Sequence, residues 1–399
     1  MATTAERRLE VACCHILPRP AAAHVAAATT AAATAATAAA QPSISEHPLR
    51  VGIIGLGDIT KKSFAPSVLA CPDAQLVAVC RRDADLAQEF AEHHQTLQGG
   101  AVTIHAYSDP GALCRDPNVD AVIVATPSDT HAEYTILAAQ HGKHVLCEKP
   151  MARTVDEARS MVHACREAGV QLGVAFRRRL FPQVVAAKEQ IRMGTIGTVV
   201  CARTHYSGDF PDVAGTWRAD KDIGGAMMEM ACHRIEVLLN FGGEAASLSA
   251  MVDTVRQDRG WEEGVDDTDA FVVRFKSGMI GVHSTILTSP PRHDYVQIDG
   301  TKGRIIVDNL EFFNTSITVE KPSTKSGPNG QLVERTVVTV PTLDLYGDQP
   351  LVDDWARASL DGRSPECDGE VGFATQAVME AAVKASQEKR EIKVEGLHE

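Results

Sequence analysis

The sequence has too few basic residues for a protein that binds polyanions. Its 399 residues contain 39 Lys and Arg against 52 Asp and Glu, which gives a net charge of -13. Nucleic-acid binding needs a basic surface that neutralises phosphates, and attachment to anionic lipids needs a polybasic segment. We therefore expect no nucleic-acid partner and no membrane association. The chain also lacks the roughly 18 consecutive bulky apolar residues that a transmembrane helix requires.

The cysteines lack the spacing of a metal site or of a disulfide framework. None of the 10 cysteines belongs to a Cys-x-x-Cys pair, whereas structural zinc sites usually contain such pairs. We expect reduced thiols, no bound metal and a cytoplasmic location. The composition is otherwise that of a folded globular protein, with 44% hydrophobic and 23% charged residues.

Residues 1–48 form an Ala- and Thr-rich leader that we exclude from the predicted fold. A long run of these small residues offers almost no side chain that could pack in a core. Arg7 and Arg8 precede the run, as in a targeting segment, but Glu10 and Pro20 interrupt the pattern of a secretory signal. The leader is expected to be disordered, or else to direct the protein to an organelle or to export.

Strands and helices alternate between residues 49 and 174. The predicted strands are short and strongly apolar, as expected for strands that are covered on both faces. They lie near residues 51–54, 75–80, 120–127, 144–150 and 170–175. This α/β alternation predicts a Rossmann domain, a doubly wound parallel sheet, over residues 49–174.

Beyond residue 175 the predicted strands follow one another directly, and several pairs are joined by glycine-containing hairpin turns. This pattern indicates an α+β domain over residues 175–399, with a large, mostly antiparallel, open-faced sheet. Two helices are predicted, near residues 222–241 and 374–388, and they can cover only one face. An uncovered apolar face favours association with a second copy, so we expect a homodimer or homotetramer.

A glycine-rich turn follows the first strand and consists of Gly55, Leu56, Gly57, Asp58 and Ile59. Such a turn brings backbone close to a pyrophosphate at a helix N-terminus. Thr60 occupies the position of the third glycine of the dinucleotide-binding fingerprint, so the string alone is a weak signal. Its place between a strand and a helix strengthens the interpretation. The alternative is a plain strand-to-helix turn.

The end of the second strand indicates which dinucleotide is preferred. Arg81 and Arg82 follow this strand, near the position where an acidic residue would bind both ribose hydroxyls of NAD. A guanidinium instead suits the 2′-phosphate of NADP. The residues favour NADP over NAD, unless both arginines belong to a solvated turn.

Two further sequence motifs follow the ends of neighbouring strands, at the same edge of the predicted sheet. Thr126, Pro127 and His131 follow one strand, and Glu148 and Lys149 follow the next. Ligands of open α/β sheets bind at this carboxyl edge. A lysine beside the positive charge of a nicotinamide would have a lowered pKa, which would make it a usable proton-transfer group. A solvated strand-end lysine is the plainer alternative.

A third string contains Glu229 and His233, which are four residues apart on a predicted helix and therefore share one face. An acid and a histidine at this spacing could bind a metal, but the chain lacks a His-Glu-x-x-His string. The carboxylate could instead orient and polarise the imidazole for proton transfer. Taken alone, the pattern favours a structural pair.

Together these strings resemble the glucose–fructose oxidoreductase, inositol dehydrogenase and rhizopine-catabolism family of NAD(P)-dependent oxidoreductases. The resemblance covers residues 49–394. It rests on the Gly55 turn, on Ala-Thr-Pro-Ser-Asp-Thr-His, on Glu148-Lys149-Pro150, and on Trp217-Arg218 followed by Gly224-Gly225 and His233.

The resemblance implies that Lys149 and His233 lie beside the nicotinamide, with an acid one helical turn before the histidine. That acid is Glu229 here, where the family usually has Asp. Arg177 matches a basic position near the nicotinamide side. The implied activity is a dehydrogenase or reductase that acts on a secondary alcohol of a sugar, polyol or similar cyclic compound, with NADP preferred to NAD.

Two other activities fit the same resemblance. A glycosidase of the family would use a transient hydride transfer with no net redox change, and it would share Lys149 and His233. A cofactor-sensing regulator would bind the dinucleotide without catalysis, although the presence of both residues argues against it. The identity of the substrate cannot be read from the sequence.

Overall fold

The computed structural model describes residues 8–10, 47–100, 102–210, 213–310, 315–327, 330–342 and 347–398. Most of the predicted leader, residues 1–48, therefore lies outside the described residues. Its strand Arg8–Glu10 (β1) pairs in parallel with the edge of the larger sheet. No helix in the described ranges is long and apolar enough to cross a membrane.

A six-stranded parallel sheet forms the first half of the protein, which confirms the predicted Rossmann fold. Its spatial order is β4-β3-β2-β5-β6-β7, so the chain reverses direction across the sheet between β2 and β5. The strands are β2 (Leu49–Ile54), β3 (Ala74–Cys80), β4 (His105–Tyr107), β5 (Ala121–Val124), β6 (His144–Cys147) and β7 (Leu172–Val174). Ligands of such sheets bind at this reversal, beyond the carboxyl ends of the strands.

Helices cover both faces of the parallel sheet. They are α1 (Ala65–Ala70), α2 (Ala84–Leu97), α3 (Pro110–Arg115), α4 (His131–Gln140) and α5 (Val155–Ala168). Side chains of Asp83, Asp109 and Thr154 accept hydrogen bonds from backbone N–H groups in the first turns of α2, α3 and α5. These caps satisfy donors that a helix start leaves unpaired.

The second half contains a ten-stranded, mostly antiparallel sheet, as predicted, with the order β1-β15-β14-β13-β12-β8-β11-β10-β9-β16. Its further strands are β8 (Val199–Asp209), β9 (Ala245–Asp253), β10 (Thr268–Phe275), β11 (Ile280–Ile286), β12 (Thr288–Gly300), β13 (Gly303–Asp308), β14 (Ser316–Gly327), β15 (Gly330–Thr339) and β16 (Ile392–Lys393). The pair β8–β11 is parallel, within an otherwise antiparallel centre.

Four α-helices lie in the described part of the second half, namely α6 (Pro182–Arg192), α7 (Cys232–Gly242), α8 (Gln349–Asp361) and α9 (Gly369–Glu388). Helices α7 and α9 correspond to the two predicted ones, and both pack on the same sheet. Helix α8 was not predicted. It packs against the Rossmann half, where the buried Trp355 donates from Nε1 to the Val145 carbonyl at 3.0 Å.

The opposite face of the large sheet is open. Along β10, Phe271 and Val273 are buried beneath the helices, whereas Val272 between them is 49% exposed. On the neighbouring β9, Met251 is 80% exposed, and it pairs with Ala270 of β10. Alternation of this kind is expected when helices cover only one side of a sheet.

Candidate active site

The glycine turn after β2 has the geometry of a nucleotide-binding loop. Gly55 has a φ of +97°, and a Cβ at this position would overlap the carbonyl group of Ala125. Only glycine therefore fits there. An added Cβ at Gly57 would meet no atom within 4 Å, so the turn faces open space. The Thr60 hydroxyl donates to the Gly55 carbonyl at 2.6 Å, which ties the turn to the following helix.

Arg81 lies against this turn, because its Nη1 donates to the Leu56 carbonyl at 3.5 Å. Arg82 is exposed. The nearest acid along the chain, Asp83, accepts from the Leu86 N–H at 3.1 Å and so caps α2. Asp58 forms an exposed ion pair with Lys62 at 2.8 Å. The described residues at the end of β3 therefore offer a guanidinium beside the turn, with the adjacent carboxylate engaged elsewhere.

His131 is buried and clamps two loops of the sheet edge. Its Nδ1 lies 2.9 Å from the Pro150 carbonyl, and its Nε2 lies 2.8 Å from the Thr126 carbonyl. Burial lowers the pKa of His131, although the two carbonyl groups act in the opposite direction. We predicted contact with a cofactor for this residue. That contact stays a prediction, and in the structure both ring nitrogens lie against backbone carbonyl groups, which fixes the Thr126 and Pro127 loop relative to Pro150.

Lys149 spans the two halves of the protein. Its Nζ donates to the backbone carbonyl of Glu229 at 3.0 Å and lies 3.8 Å from the Glu229 carboxylate. Burial lowers the pKa of Lys149, but the charge of Glu229 and smaller contributions from Cys232 and Glu148 outweigh it, and the pKa lies above its ordinary value. The protein's own charges thus favour the charged form of Lys149, and the lowering that we expect beside a bound nicotinamide stays a prediction.

Glu229 belongs to a π-helical turn, Met227–Ala231, that leads into α7. The Cys232 N–H bonds to the Met227 carbonyl, five residues back. We predicted that Glu229 and His233 share a face. Within the described residues no hydrogen bond joins them, and Glu229 instead pairs with Lys149 and with Arg218 at 3.5 Å.

His233 is buried and surrounded by positive charge. Its Nδ1 has no hydrogen-bond partner among the described residues. Burial is the largest cause that holds the pKa of His233 well below its ordinary value, and the charges of Arg178, Lys149, Arg177 and Arg234 add to it. These causes favour the neutral form of the imidazole.

Arg177 and Glu148 complete this charged cluster. The Arg177 guanidinium contacts the buried carboxylate of Asp348 at 3.3 Å. The Glu148 carboxylate accepts from the Lys149 backbone N–H. Partial burial raises the pKa of Glu148 to about 7, with Asp348 adding to the rise and Lys149 and Arg177 opposing it. Glu148 is thus poised between its charged and neutral forms near neutral pH.

Sequence reasoning missed three charged residues of this cluster. Arg218 was noted only as part of a family string, yet it contacts Glu229. Arg178 acts on the pKa of both His233 and Lys149, and the run Arg177-Arg178-Arg179 was an available signal. Asp348 lies just before α8, in a segment for which no element was predicted.

The described residues form a cavity close to the site, but they contain no metal-binding cluster. A cavity of about 670 Å³ is lined by Met227 and Met228 on one side and by residues of α5 and α9 on the other, but Lys149 and His233 do not line it. Among the described residues no group of three or more His, Cys, Asp or Glu side chains could hold a metal ion.

A glycine turn between the first strand and the first helix of a Rossmann sheet is typical of proteins that bind a nicotinamide dinucleotide. Residues 49–176 match the family described as "Oxidoreductase family, NAD-binding Rossmann fold", and residues 184–306 match the "GFO/IDH/MocA C-terminal domain". The chain belongs to this GFO/IDH/MocA family, and it is an NAD(P)-dependent dehydrogenase or reductase.

Individual relatives align over nearly their whole length. Myo-inositol 2-dehydrogenase of Thermotoga maritima is 30% identical over 355 residues, which cover 87% of this chain and 99% of the relative. D-xylose 1-dehydrogenase (NADP(+)) 2 of Haloferax volcanii is 30% identical over 338 residues, or 84% and 97% of the two chains. The solved levoglucosan dehydrogenase in complex with NADH and levoglucosan has a TM-score of 0.75 at 26% identity, covering 87% and 100%.

Replacing Glu148 with Gln should stabilise the protein increasingly as the pH rises from about 4.5 to about 7. The folded state keeps the Glu148 proton up to about pH 7, whereas the unfolded chain releases it near pH 4.5. Ionisation therefore weakens folding across this window, and the Gln variant avoids that loss. We expect a gain of about 1–3 kcal/mol above pH 7, measured by urea unfolding at several pH values.

Glu189→Gln is the matched control for this series. Arg192 holds the pKa of the exposed Glu189 below its ordinary value, so its replacement should give no gain with rising pH. A Glu148→Gln effect that does not change with pH would contradict the raised pKa.

Proposed function

We propose that this enzyme transfers a hydride between nicotinamide C4 and a secondary alcohol, or its ketone, of a sugar, polyol or related cyclic compound. The proposal is carried by the cation of Lys149 held against the Glu229 turn beside a neutral His233. The relatives described above carry inositol, xylose and levoglucosan in their names, and all three are polyhydroxylated compounds.

The glycine turn fits a nicotinamide dinucleotide. Backbone N–H groups at a helix start favour a pyrophosphate, and the space beside Gly57 admits it. The bound cofactor would accept or supply the hydride. Residues of this chain would then bind and orient the substrate and move the hydroxyl proton.

Lys149 would act as a hydrogen-bond donor to the reacting oxygen. Its ammonium group has a raised pKa and is directed by the Glu229 carbonyl. A preorganised cation in a site that excludes water stabilises the negative charge that develops on an alcohol oxygen as its proton leaves. In the direction of reduction the same group would stabilise the alkoxide that forms from the ketone.

His233 would accept the hydroxyl proton during oxidation. Its imidazole is neutral because burial and four cationic neighbours disfavour the charged form. A neutral imidazole has a free lone pair, which is what a general base requires. Glu229 would be a positioning residue for Lys149, since its carboxylate and its carbonyl both face that lysine.

A panel of sugars and polyols, assayed with both cofactors by nicotinamide absorbance, tests the proposal. We expect reduced cofactor to accumulate with at least one cyclic polyol. Released sugar without net reduction of the cofactor would identify a glycosidase instead. Tight binding of the dinucleotide with no product of either kind across the panel would indicate a regulator.

Lys149→Met should lower kcat by about 10²–10⁴, the usual effect of removing an acid–base or charge-stabilising group. His233→Ala should fall in the same range. Both variants should bind the dinucleotide within a fewfold of wild type, measured by fluorescence titration, because neither side chain belongs to the glycine turn.

Glu229→Gln is the control for these two variants and should lower kcat by a smaller factor. The backbone carbonyl that accepts from Lys149 remains in that variant. If cofactor binding is lost in parallel with turnover, Lys149 is a binding residue. Normal turnover of Lys149→Met would exclude it from the chemistry.

We further propose that the enzyme prefers NADP, because the Arg81 guanidinium lies beside the glycine turn and Asp83 is engaged in capping. Arg81→Ala should weaken NADP binding by about 1.5–3 kcal/mol, the typical value of a charged hydrogen bond. Binding of NAD, measured in the same titration, should hardly change. An equal loss for both cofactors would show that Arg81 does not bind the 2′-phosphate.

The open face of the large sheet is proposed to bind a second copy of the chain. Val272→Glu should then dissociate a dimer or tetramer, because a buried unpaired charge is costly. Val185→Glu is the matched control, since Val185 on α6 is equally exposed, at 49%, but lies away from this face. Light scattering that shows monomers of the wild type at micromolar concentrations would refute the interface.

A further inference from the structure

The turn that holds Lys149 is itself anchored by one carboxylate. The Asp266 Oδ2 accepts from the Met227 N–H at 2.8 Å, and the Asp266 backbone carbonyl accepts from the Ala226 N–H at 2.8 Å. These two N–H groups lie at the start of the π turn that contains Glu229. A single residue thus fixes the start of the turn through both its side chain and its backbone.

The two glycines before the turn, Gly224 and Gly225, leave space that Asp266 and Arg218 occupy. Gly225 has a φ of +90°, and a Cβ at this position would overlap the Asp266 carboxylate. A Cβ at Gly224 would overlap the backbone of Arg218, the residue that contacts Glu229. The glycine pair therefore lets both Asp266 and Arg218 approach the same turn.

We propose that Asp266 is a positioning residue for catalysis, because it sets the place of the Glu229 carbonyl and thereby of the Lys149 ammonium. The proposal rests on the function proposed above for Lys149. Asp266 does not contact Lys149 within the described residues, and it acts through the backbone between Met227 and Glu229.

The chain of contacts is short enough to transmit a displacement. One peptide unit separates Met227 from Met228 and another leads to Glu229, whose carbonyl accepts from Lys149 at 3.0 Å. A shift of about 1 Å in a catalytic group can cost about 10² in rate. Loss of the Asp266 carboxylate would release the first N–H of the turn and allow such a shift.

The surroundings of the Asp266 side chain disfavour its charged form. Burial raises the pKa of Asp266 to about 7, and the neighbouring Asp269 carboxylate adds to the rise. A neutral side chain with a carbonyl oxygen can still accept from Met227. Asparagine should therefore replace Asp266 in this role, whereas alanine should not.

The adjacent Asp267 provides a matched control. It is buried, and its carboxylate accepts from the backbone N–H groups of Val255 and Arg256 at 2.9 and 2.7 Å. It thus makes the same kind of bond as Asp266, but it anchors the loop after β9 and not the Glu229 turn. Replacement of Asp267 tests the general cost of losing a buried carboxylate in this segment.

The experiment compares Asp266→Ala, Asp266→Asn and Asp267→Ala with wild type on whichever sugar or polyol the panel selects. We expect Asp266→Ala to lower kcat by about 10- to 100-fold, with the Kd of NADP within about twofold of wild type. Asp266→Asn should retain kcat within about threefold. Asp267→Ala should lower the melting temperature while its folded fraction keeps the wild-type kcat.

Several results would overturn the inference. These are a wild-type kcat for Asp266→Ala, a loss of kcat in Asp267→Ala equal to that in Asp266→Ala, or an Asp266→Asn variant as slow as the alanine variant. If Asp266→Ala does not fold, the asparagine variant still tests the inference, because a loss of its kcat with NADP binding intact would contradict a role that needs only a side-chain oxygen as acceptor. Absence of turnover in the wild type with every compound would instead remove the proposed function.

Discussion

The contact between the Lys149 ammonium and the Glu229 carbonyl is the constraint on which the rest of the site depends. It joins the carboxyl edge of the parallel sheet to the first turn before α7, and so it joins the two halves of the protein. A lysine that is only 16% exposed requires such a partner, since an unpaired buried cation is costly. That carbonyl lies 3.0 Å from the ammonium and belongs to the π turn that follows the glycine pair.

This arrangement moves the pKa values of Lys149 and His233 in opposite directions. The carboxylate of Glu229 keeps Lys149 charged, while burial and the same lysine keep His233 neutral. Environments that push neighbouring pKa values apart are typical of acid and base pairs in active sites. The proposed donor, Lys149, and the proposed proton acceptor, His233, would thus differ in charge, and among the described residues Glu229 makes no hydrogen bond with His233.

The sequence was sufficient to predict the location of those site residues that directly follow a strand. Gly55, Arg81 and Lys149 follow predicted strands of a parallel sheet, and topology brings the carboxyl ends of such strands to one edge. The pairing of Glu229 with Lys149 could not be predicted, because the two residues are 80 positions apart and spacing along one helix cannot reveal such a contact. Helix α8 has buried residues at helical spacing, namely Leu351, Val352, Trp355 and Ala356, so periodicity could have revealed it. Its contact with Val145, 210 residues away in sequence, could not be predicted in that way.

The order of strands also separates the two residues to which we assign the choice of cofactor and the chemistry. Arg81 follows β3 and Lys149 follows β6, with β2 and β5 between them. Three strand spacings of about 4.8 Å place these ends roughly 14 Å apart, a span that an extended dinucleotide can bridge. Sites this far apart with no shared partner usually behave independently. In the proposed function, changes at the β3 end would therefore alter the preferred dinucleotide while the geometry at Lys149 is preserved, and the same edge would serve either cofactor.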